Sequence, residues 1–377
     1  MAKVWNRLVL KGSVSVFRAW SVFRKPKPLP PRPKWRRILI YQNSALGDAL
    51  YATPAIRAVR QTFPEAHLAL LCRERHADLM AQNPHLDQLL VYRGKTKSFR
   101  LLTGQMKASR FDVGIVLHGN DPETLPYLWA GRVKHIIGPE NTAFSFLYSQ
   151  ALPIPAPGQH VVDHRLMLVQ AAGAQAQGRY MEQPLPQETL LQASALLARE
   201  LPGSGPVLIL APGASSPHKM WPAADFAAVG QRFIKSHGAR VVILTTAKER
   251  PLAQIIQTKI PGPTWASNGE IDLLQVAGLI ASADLVLAND SGLYNLGQAL
   301  NRPTLSLGGP QGPVDYSPLP DHKAEMINLR KEVCGREVCL NRECPDSICI
   351  KAITVKMVVE RVEDMLVRYG EQESSLS

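Results

Sequence analysis

Apolar and polar residues alternate in blocks along most of the chain. From residue 37 onward, short runs rich in Val, Ile and Leu are separated by longer stretches in which apolar residues recur at helical spacing. Uninterrupted apolar runs are typical of strands that are buried on both faces, and strands that alternate with helices form parallel sheets. The pattern predicts strands at residues 38–41, 68–72, 89–92, 113–118 and 133–137, and a second series at 207–210, 241–245, 285–288 and 304–307.

The strand pattern weakens between the two series. Prolines occur at positions 153, 155 and 157, and a Gly- and Pro-containing stretch follows at residues 203–206. A chain of 377 residues is long enough for two domains of the usual size. We therefore predict an α/β protein with two Rossmann-like domains at residues 36–185 and 186–350. A tail at residues 1–35 precedes them, and a C-terminal helix and tail follow at 351–377.

The positive charge of the chain is concentrated at its amino terminus. Residues 1–37 contain eleven Lys and Arg and no Asp or Glu, against a net charge of +12 for the whole chain. Interleaved with these bases are the apolar residues Val4, Trp5, Leu8, Val9, Val16, Phe17, Trp20 and Phe23. This pattern is typical of a basic amphipathic helix on an anionic membrane, and the prolines at positions 26–33 predict an extended tether. A solvated tail is the alternative, since short helices are marginal in water.

The end of the first predicted strand carries a carboxylate. Residues 38–41 run into the polar turn 42–44, and Asp48 follows Gly47 where a helix is expected to begin. Ligands of open α/β sheets bind at the carboxyl ends of the strands, so this carboxylate is placed for general-base chemistry. The alternative is that Asp48 caps the helix that runs through Ala49, Ile56 and Val59.

Two strand ends in the second half carry groups suited to phosphate. The run after residue 210 combines Ser215, Ser216 and Lys219 with small residues, which supplies hydroxyls, a positive charge and close backbone approach. The run at residues 289–292 opens a helix, where unpaired N–H groups favour an anion. Neither run is a Walker or GxGxxG motif, and ordinary N-capping and a solvated lysine are the alternatives.

Three ordered segments carry a family resemblance. They are ILIYQNSALGDALYATPAIRAVR at residues 38–60, APGASSPHKMWP at 211–222 and ADLVLANDSGLYNLGQALNRPTLSLGGP at 283–310. Together they resemble the motifs of glycosyltransferase family 9, the lipopolysaccharide heptosyltransferases. Weaker matches are HVVDHRLMLVQAAG at residues 160–173 and the Cys-rich end that leads into AITVKMVVERVEDML. The resemblance covers about residues 36–370 and omits the basic tail.

The resemblance implies a GT-B fold, with two facing Rossmann-like domains and an interdomain cleft. It implies inverting transfer of a heptose or related sugar from a nucleotide diphosphate sugar, ADP-heptose in this family, to a lipopolysaccharide-core or other lipid-linked glycan. No cofactor is implied for catalysis. We expect a cytoplasmic enzyme, peripheral on the inner face of the cytoplasmic membrane, which contacts anionic lipid through residues 1–34.

The family motifs assign roles to individual residues. Asp48 is the implied general base. The implied donor-binding residues are Ser215, Ser216, Lys219, Glu249, Asp290, Ser291, Gly292 and Asn295, with Glu249 placed to reach a ribose hydroxyl. We place Asn43, Ser44, Gly47 and His118 on the acceptor side.

Two positions depart from the family pattern. Asn295 stands where members usually have His after the Ser-Gly pair, and Tyr41 stands where many have Arg or Lys. An amide can hydrogen-bond a phosphate but adds no charge, so we expect altered donor affinity or donor identity. A non-catalytic or differently specific sugar-nucleotide-binding protein is the alternative function. A nucleic-acid-binding protein is disfavoured, because the bases lie in the tail and no RRM or OB motif occurs.

Four cysteines near the carboxyl terminus form a separate pattern. Cys334, Cys339, Cys344 and Cys349 recur every five residues, a spacing that does not line one helical face. A loop that gathers four thiolates suits a structural zinc ion or an iron–sulfur cluster, although the usual CxxC pair is absent. Four locally packed thiols are the alternative.

Overall fold

The protein divides into two compact units, Met1–Arg179 and Tyr180–Ser377. The structure is a computed structural model, and it describes residues 14–19, 26–31, 33–94, 98–118, 124–140, 143–154, 156, 158–309, 315–335, 339, 344 and 346–374. Each unit is built around one six-stranded sheet. The predicted α/β class with two parallel sheets is confirmed.

The first unit has the strand order β3-β2-β1-β4-β5-β6, and all neighbouring strands are parallel. The strands are β1 (Arg37–Tyr41), β2 (His67–Arg73), β3 (Gln88–Tyr92), β4 (Val113–Val116), β5 (His135–Pro139) and β6 (Gln150–Leu152). The helices are α1 (Leu46–Leu50), α2 (Thr53–Thr62), α3 (Glu74–Met80), α4 (Phe99–Ser109), α5 (Thr124–Ala130) and α6 (Val161–Ala171).

Strand β1 lies inside the sheet because it is apolar on both faces. Residues 38–41 are fully buried, and the strand pairs with β2 on one side and β4 on the other. The helix expected after it is split, because α1 ends at Leu50 and α2 begins at Thr53 with Pro54 in its first turn. Tyr41 lies in the hydrophobic core of this unit, which explains why a strand position carries an aromatic residue.

The second unit repeats the architecture with the order β12-β11-β10-β7-β8-β9, again parallel. The strands are β7 (Val207–Ala211), β8 (Arg240–Ile243), β9 (Thr264–Ala266), β10 (Leu285–Asn289), β11 (Thr304–Gly308) and β12 (Ala324–Asn328). The helices are α7 (Gln187–Glu200), α8 (Ala223–His237), α9 (Arg250–Lys259), α10 (Leu273–Ala281), α11 (Gly292–Ala299), α12 (Arg330–Cys334), α13 (Ile348–Lys351) and α14 (Val355–Ser374).

The C-terminal helix α14 is part of the core of the second unit. Its residues Val358, Val362 and Met365 are fully buried in the same cluster as Trp221. The indole of Trp221 donates a hydrogen bond to the carbonyl oxygen of Ile353 at 2.8 Å, just before the helix begins. This buried contact ties the chain end to the loop that follows β7.

All nine predicted strands are present, and in three cases a strand end is shifted by two residues. The strand expected at 113–118 ends at Val116, that at 241–245 ends at Ile243, and that at 133–137 lies at His135–Pro139. The unpredicted strands β6, β9 and β12 each lie at a sheet edge. Edge strands have one neighbour and retain exposed positions, so they lack the continuous apolar run that marks a central strand.

Part of the basic tail is folded against the first unit. Residues 14–19 are helical, and the ring of Phe17 lies 5.5 Å from that of Trp129 and 5.7 Å from that of Phe144. The expectation that Phe17 faces a membrane is therefore wrong, because the side chain packs on the protein. Val4, Trp5, Leu8, Val9, Trp20 and Phe23 lie outside the described residues. Within the described part of the chain, no helix has both the length and the apolar character needed to cross a bilayer.

Candidate active site

Each sheet reverses its strand order beside its first strand. In the first unit β1 lies between β2 and β4, and in the second unit β7 lies between β8 and β10. The loops that follow such strands diverge to opposite sides of the sheet and leave a crevice at the carboxyl ends. Asp48 follows β1 and His118 follows β4, while the two predicted phosphate runs follow β7 and β10. The fold thus brings the predicted residues of each unit to one sheet edge.

Asp48 pairs with an arginine. The N-cap of α1 is Ala45, which makes no side-chain capping hydrogen bond, and Asp48 is the third residue of the helix. Nη2 of Arg165 donates to Oδ1 of Asp48 at 2.8 Å. The side chain of Arg165 is 1% exposed and that of Asp48 is 21% exposed. The capping alternative therefore does not describe Asp48, whose carboxylate is held by α6.

Arg165 and its surroundings keep Asp48 ionised. Burial raises the pKa of Asp48. The charges of Arg165 and His118 and the hydrogen bonds from Arg165 and Ser44 outweigh burial, so the pKa of Asp48 lies below its usual value. A carboxylate with this balance stays deprotonated at neutral pH and retains lone pairs that can accept a proton.

Arg165 was not singled out by the sequence analysis. It lies on α6 among the buried residues Val162, Leu166 and Val169, in the segment that gave only a weak family match. Its Nε and Nη1 atoms are buried and have no hydrogen-bond partner among the described residues, and its guanidinium lies 5.8 Å from the ring centre of Tyr51. A charged residue inside an otherwise apolar helix face was the signal available in the sequence.

The predicted acceptor-side residues surround Asp48 to different degrees. Ser44 and His118 both act on the carboxylate of Asp48, Ser44 through a hydrogen bond and His118 through its charge. Asn43 is 1% exposed, and Gly47 is a buried residue of α1. The structure therefore brings Ser44 and His118 to the carboxylate, whereas Asn43 and Gly47 belong to the buried turn that positions it.

Lys219 and Asp290 join the two predicted phosphate runs. Nζ of Lys219 lies 2.9 Å from Oδ2 of Asp290, and each side chain is 10% exposed. The alternative of a solvated lysine is wrong, because this lysine is buried in an ion pair. An ammonium group has three N–H donors, so Lys219 has two left for a ligand after it binds Asp290.

Asn289 fixes the spacing of these two runs. Its side-chain oxygen accepts a hydrogen bond from the N–H of Trp221 at 3.0 Å, and its amide donates to the carbonyl oxygen of Pro212 at 2.6 Å. The side chain is fully buried. Sequence reasoning did not assign this role, because both partners are remote in sequence.

The start of α11 offers unengaged polar groups. Ser291 is the N-cap residue, yet its hydroxyl makes no capping hydrogen bond and has no partner among the described residues. Gly292 is the first residue of the helix, where backbone N–H groups are free of intrahelical partners. Asn295 donates its amide to the carbonyl oxygen of Ser291 at 3.1 Å. Asn295, which stands where family members usually have His, thus stabilises the first turn of α11 through a hydrogen bond within the helix.

Glu249 lies against the loop after β7. Its carboxylate accepts hydrogen bonds from the backbone N–H and the hydroxyl of Thr246, at 3.0 and 2.8 Å. A Cβ atom on Gly213 would lie 2.2 Å from Oε1 of Glu249, so a larger residue at this position would displace the Glu249 carboxylate. Ser216 Oγ lies 3.2 Å from Nε2 of His218, and Ser215 is exposed.

The cysteine segment does not assemble a metal site among the described residues. Burial raises the pKa of the Cys349 thiol, with further contributions from Cys334 and Cys344, which places these three side chains in one neighbourhood. However, no group of three or more His, Cys, Asp or Glu side chains in the described part of the chain has the geometry to hold a metal ion. For Cys334, Cys339, Cys344 and Cys349, zinc or iron–sulfur ligation stays a prediction.

Comparison with known proteins gives consistent matches over most of the chain. Residues 99–345 match glycosyltransferase family 9 (heptosyltransferase). Lipopolysaccharide heptosyltransferase 2 of Salmonella typhimurium is 26% identical over 317 residues, which cover 78% of this chain and 88% of that protein.

Solved structures extend the similarity to the fold. The structure of E. coli ADP-heptose LPS heptosyltransferase II gives a TM-score of 0.75 at 21% identity and covers 89% of this chain and 99% of that one. The structure of E. coli heptosyltransferase WaaC with ADP-2-deoxy-2-fluoro heptose gives 0.63 at 17% identity, with 87% and 99% covered. The predicted GT-B fold class is confirmed at the level of architecture.

Proposed function

Because the chain belongs to glycosyltransferase family 9 and is therefore a glycosyltransferase, we propose that it transfers a heptose from ADP-heptose to a lipopolysaccharide-core acceptor. Its relatives include a lipopolysaccharide heptosyltransferase of Salmonella typhimurium and a lipooligosaccharide heptosyltransferase of Haemophilus influenzae, which supports both the sugar and the acceptor class. The donor is suggested by WaaC, whose structure contains an ADP-heptose analogue. The observation that carries the proposal is the ionised, arginine-held carboxylate of Asp48 at the carboxyl end of β1.

On the acceptor side, Asp48 acts as the general base. The acceptor hydroxyl oxygen attacks the anomeric carbon while its proton passes to the carboxylate of Asp48. Because Oδ1 is bound to Arg165, we assign acceptance of the proton to the other carboxylate oxygen. Attack on the face opposite the leaving group inverts the anomeric configuration. The bond from the anomeric carbon to the diphosphate breaks, and the nucleoside diphosphate leaves with the bonding electron pair.

On the donor side, protein groups offset the charge that grows on the leaving diphosphate. Lys219 supplies a cation, and the hydroxyl of Ser291 and the first N–H groups of α11 supply hydrogen bonds. Asp290 anchors Lys219, and Glu249 lies against Gly213 where a ribose hydroxyl is expected. Fixed donors aimed at developing charge stabilise a transition state without reorganisation. Under this proposal catalysis requires no cofactor.

A panel of donors tests the proposed function. Purified protein is mixed with ADP-heptose or with UDP- and GDP-sugars and a lipopolysaccharide-core acceptor. Nucleoside diphosphate release and the anomeric configuration of the product are then measured. We expect acceptor-dependent ADP release and an inverted product with ADP-heptose. Turnover of another nucleotide sugar would move the donor assignment, and binding without turnover of any donor would favour the non-catalytic alternative that Asn295 suggests.

We also propose a cytoplasmic location, peripheral on the anionic inner face of the membrane. The support is the acid-free tail, in which Lys3, Arg7 and Lys11 precede the folded segment that holds Phe17. Replacing these three bases with Gln leaves the Phe17 contacts in place and should weaken binding to anionic liposomes. Turnover of a soluble acceptor should stay unchanged. Equal liposome binding by the variant and the parent protein would contradict the proposal.

A further inference from the structure

The carboxyl edge of the first sheet holds positive charge that the proposed base does not use. Arg73 ends β2, and Arg75 and His76 follow in the first turn of α3. Strand β2 pairs directly with β1, and Leu71 lies opposite Tyr41 in the register. The corner after β2 is therefore adjacent to the corner that carries Asp48.

His76 connects the two corners. It is 4% exposed, and Nε of Arg75 donates a hydrogen bond to its Nε2 at 3.0 Å. Burial, and then the charges of Arg75 and Arg73, lower the pKa of His76 to about 4, while the charge of Asp48 acts in the opposite direction. His76 is accordingly neutral at physiological pH, and it fixes the guanidinium of Arg75 without neutralising it.

Arg73 and Arg75 have no acidic partner among the described residues. The intervening Glu74 pairs with Arg93 at 2.9 Å. Nε of Arg73 is buried and makes no hydrogen bond within the described part of the chain. Burial and the neighbouring charge of Arg73 lower the pKa of Arg75, as expected for two cations that share a site without a counter-ion. Two adjacent guanidinium groups with unused N–H donors suit a carboxylate or phosphate, which they can bind in bidentate fashion.

We infer that Arg73 and Arg75 form a subsite for an oxyanion of the acceptor glycan, beside the hydroxyl that loses its proton to Asp48. The inference rests on the proposed function for the identity of the acceptor. Sugars that carry a carboxylate or a phosphate near the reacting hydroxyl would be held by these arginines. The donor diphosphate is assigned to Lys219 and α11, so it does not account for this pair.

Steady-state kinetics with matched variants test the subsite. Arg73→Gln, Arg75→Gln and the double variant are compared with Arg36→Gln, which removes the same charge from an exposed side chain just before β1, at the opposite edge of the sheet. Each subsite substitution should raise the acceptor KM about tenfold, in line with the loss of a charge-assisted hydrogen bond. The donor KM should change less than twofold, and Arg36→Gln should behave like the parent protein.

Modified acceptors identify the anion. The kinetic deficit of the double variant should disappear with a dephosphorylated acceptor if the group is a phosphate, and with a carboxyl-reduced acceptor if it is a carboxylate. Thermal stabilisation of the protein by inorganic phosphate is measured in parallel, because it does not depend on turnover. Saturating ADP is present throughout, so that the phosphate site proposed at Lys219 and α11 is already filled. Stabilisation of the parent and of Arg36→Gln by phosphate, but not of the double variant, supports the subsite. This result supports the subsite even if the parent protein does not turn over the core acceptor. In that case the proposed function alone is wrong. Acceptor KM values and phosphate stabilisation equal to those of Arg36→Gln, or an effect confined to the donor KM, would overturn the inference.

Discussion

Replacing Arg165 by Met should slow the enzyme through Asp48. The substitution keeps most of the buried volume but removes the hydrogen bond from Nη2 to Oδ1 and the positive charge beside it. A hydrogen bond to a charged group contributes about 1.5–3 kcal/mol, which corresponds to a decrease of about 10- to 100-fold in kcat/KM if the bond serves to orient the base. General-base catalysis as a whole contributes about 10²- to 10⁴-fold, so the loss should be smaller than that of Asp48→Asn.

The pH profile separates this role from a merely structural one. In the parent protein burial raises the pKa of Asp48, and Arg165 is the largest of the groups that reverse this effect. Without Arg165 the effect of burial is less opposed, so the pKa of Asp48 rises. The acidic limb of kcat/KM should move to higher pH in Arg165→Met and less far in Arg165→Lys, which retains the charge but loses the planar fork.

Two controls make the test decisive. Arg330→Met removes an arginine that is equally buried, at 1% exposure, in the second unit, and it should leave the pH profile unchanged. In the Asp48→Asn background, Arg165→Met should cause little further loss, because a positioning residue has no effect once the group that it positions is gone. Fully multiplicative losses in the double variant, or an unmoved acidic limb, would refute the reasoning.

Three further predictions follow from the same geometry. Asp48→Asn should lower kcat by about 10²- to 10⁴-fold while calorimetry detects unchanged donor binding, and near-parental turnover would remove Asp48 from the role of base. Lys219→Met should weaken donor binding, and it should lower the free energy of unfolding by about 3–5 kcal/mol in denaturant melts, because Asp290 is left buried without its partner. The double variant Lys219→Met, Asp290→Asn should recover stability but not donor binding. The free energy of unfolding should fall as the pH is lowered from 6.5 to about 4. The pKa of His76 is depressed in the folded protein, so in this range the unfolded chain binds a proton that the folded protein does not. His76→Gln should flatten this part of the plot of unfolding free energy against pH.

The sequence was informative where chemistry and chain order coincide. Asp48, Lys219 and Ser291 each follow the end of a buried apolar strand within eight residues, so the sequence shows the strand end and the functional group together. Ion pairs between residues that are distant in the chain could not be predicted from the sequence. Arg165 lies 117 residues from Asp48, and Lys219 lies 71 residues from Asp290. Periodicity predicts which residues are buried, but it does not reveal which buried charges meet.

In the proposed reaction, the first unit supplies the anionic base Asp48, and the second unit supplies the cation Lys219 for the leaving diphosphate. At the first sheet, Asp48 is surrounded by cationic and polar groups, and its depressed pKa makes it a weak base. A weak carboxylate base cannot remove the proton of an alcohol before attack, because the alcohol is far less acidic. Proton transfer must therefore accompany formation of the glycosidic bond, when the attacking oxygen gains positive character and its proton becomes acidic.

It follows that departure of the diphosphate must supply much of the driving force. The groups at the second sheet suit that requirement, since Lys219, Ser291 and the first turn of α11 present donors to an anion that gains charge as the bond breaks. Under the proposed reaction, loss of Lys219 should depress kcat for the chemical step as well as donor affinity. A solvent deuterium isotope effect on single-turnover transfer should remain modest in the parent protein, since the proton moves together with the heavy atoms. A large effect would indicate rate-limiting proton transfer to a stronger base than the Arg165-bound carboxylate of Asp48.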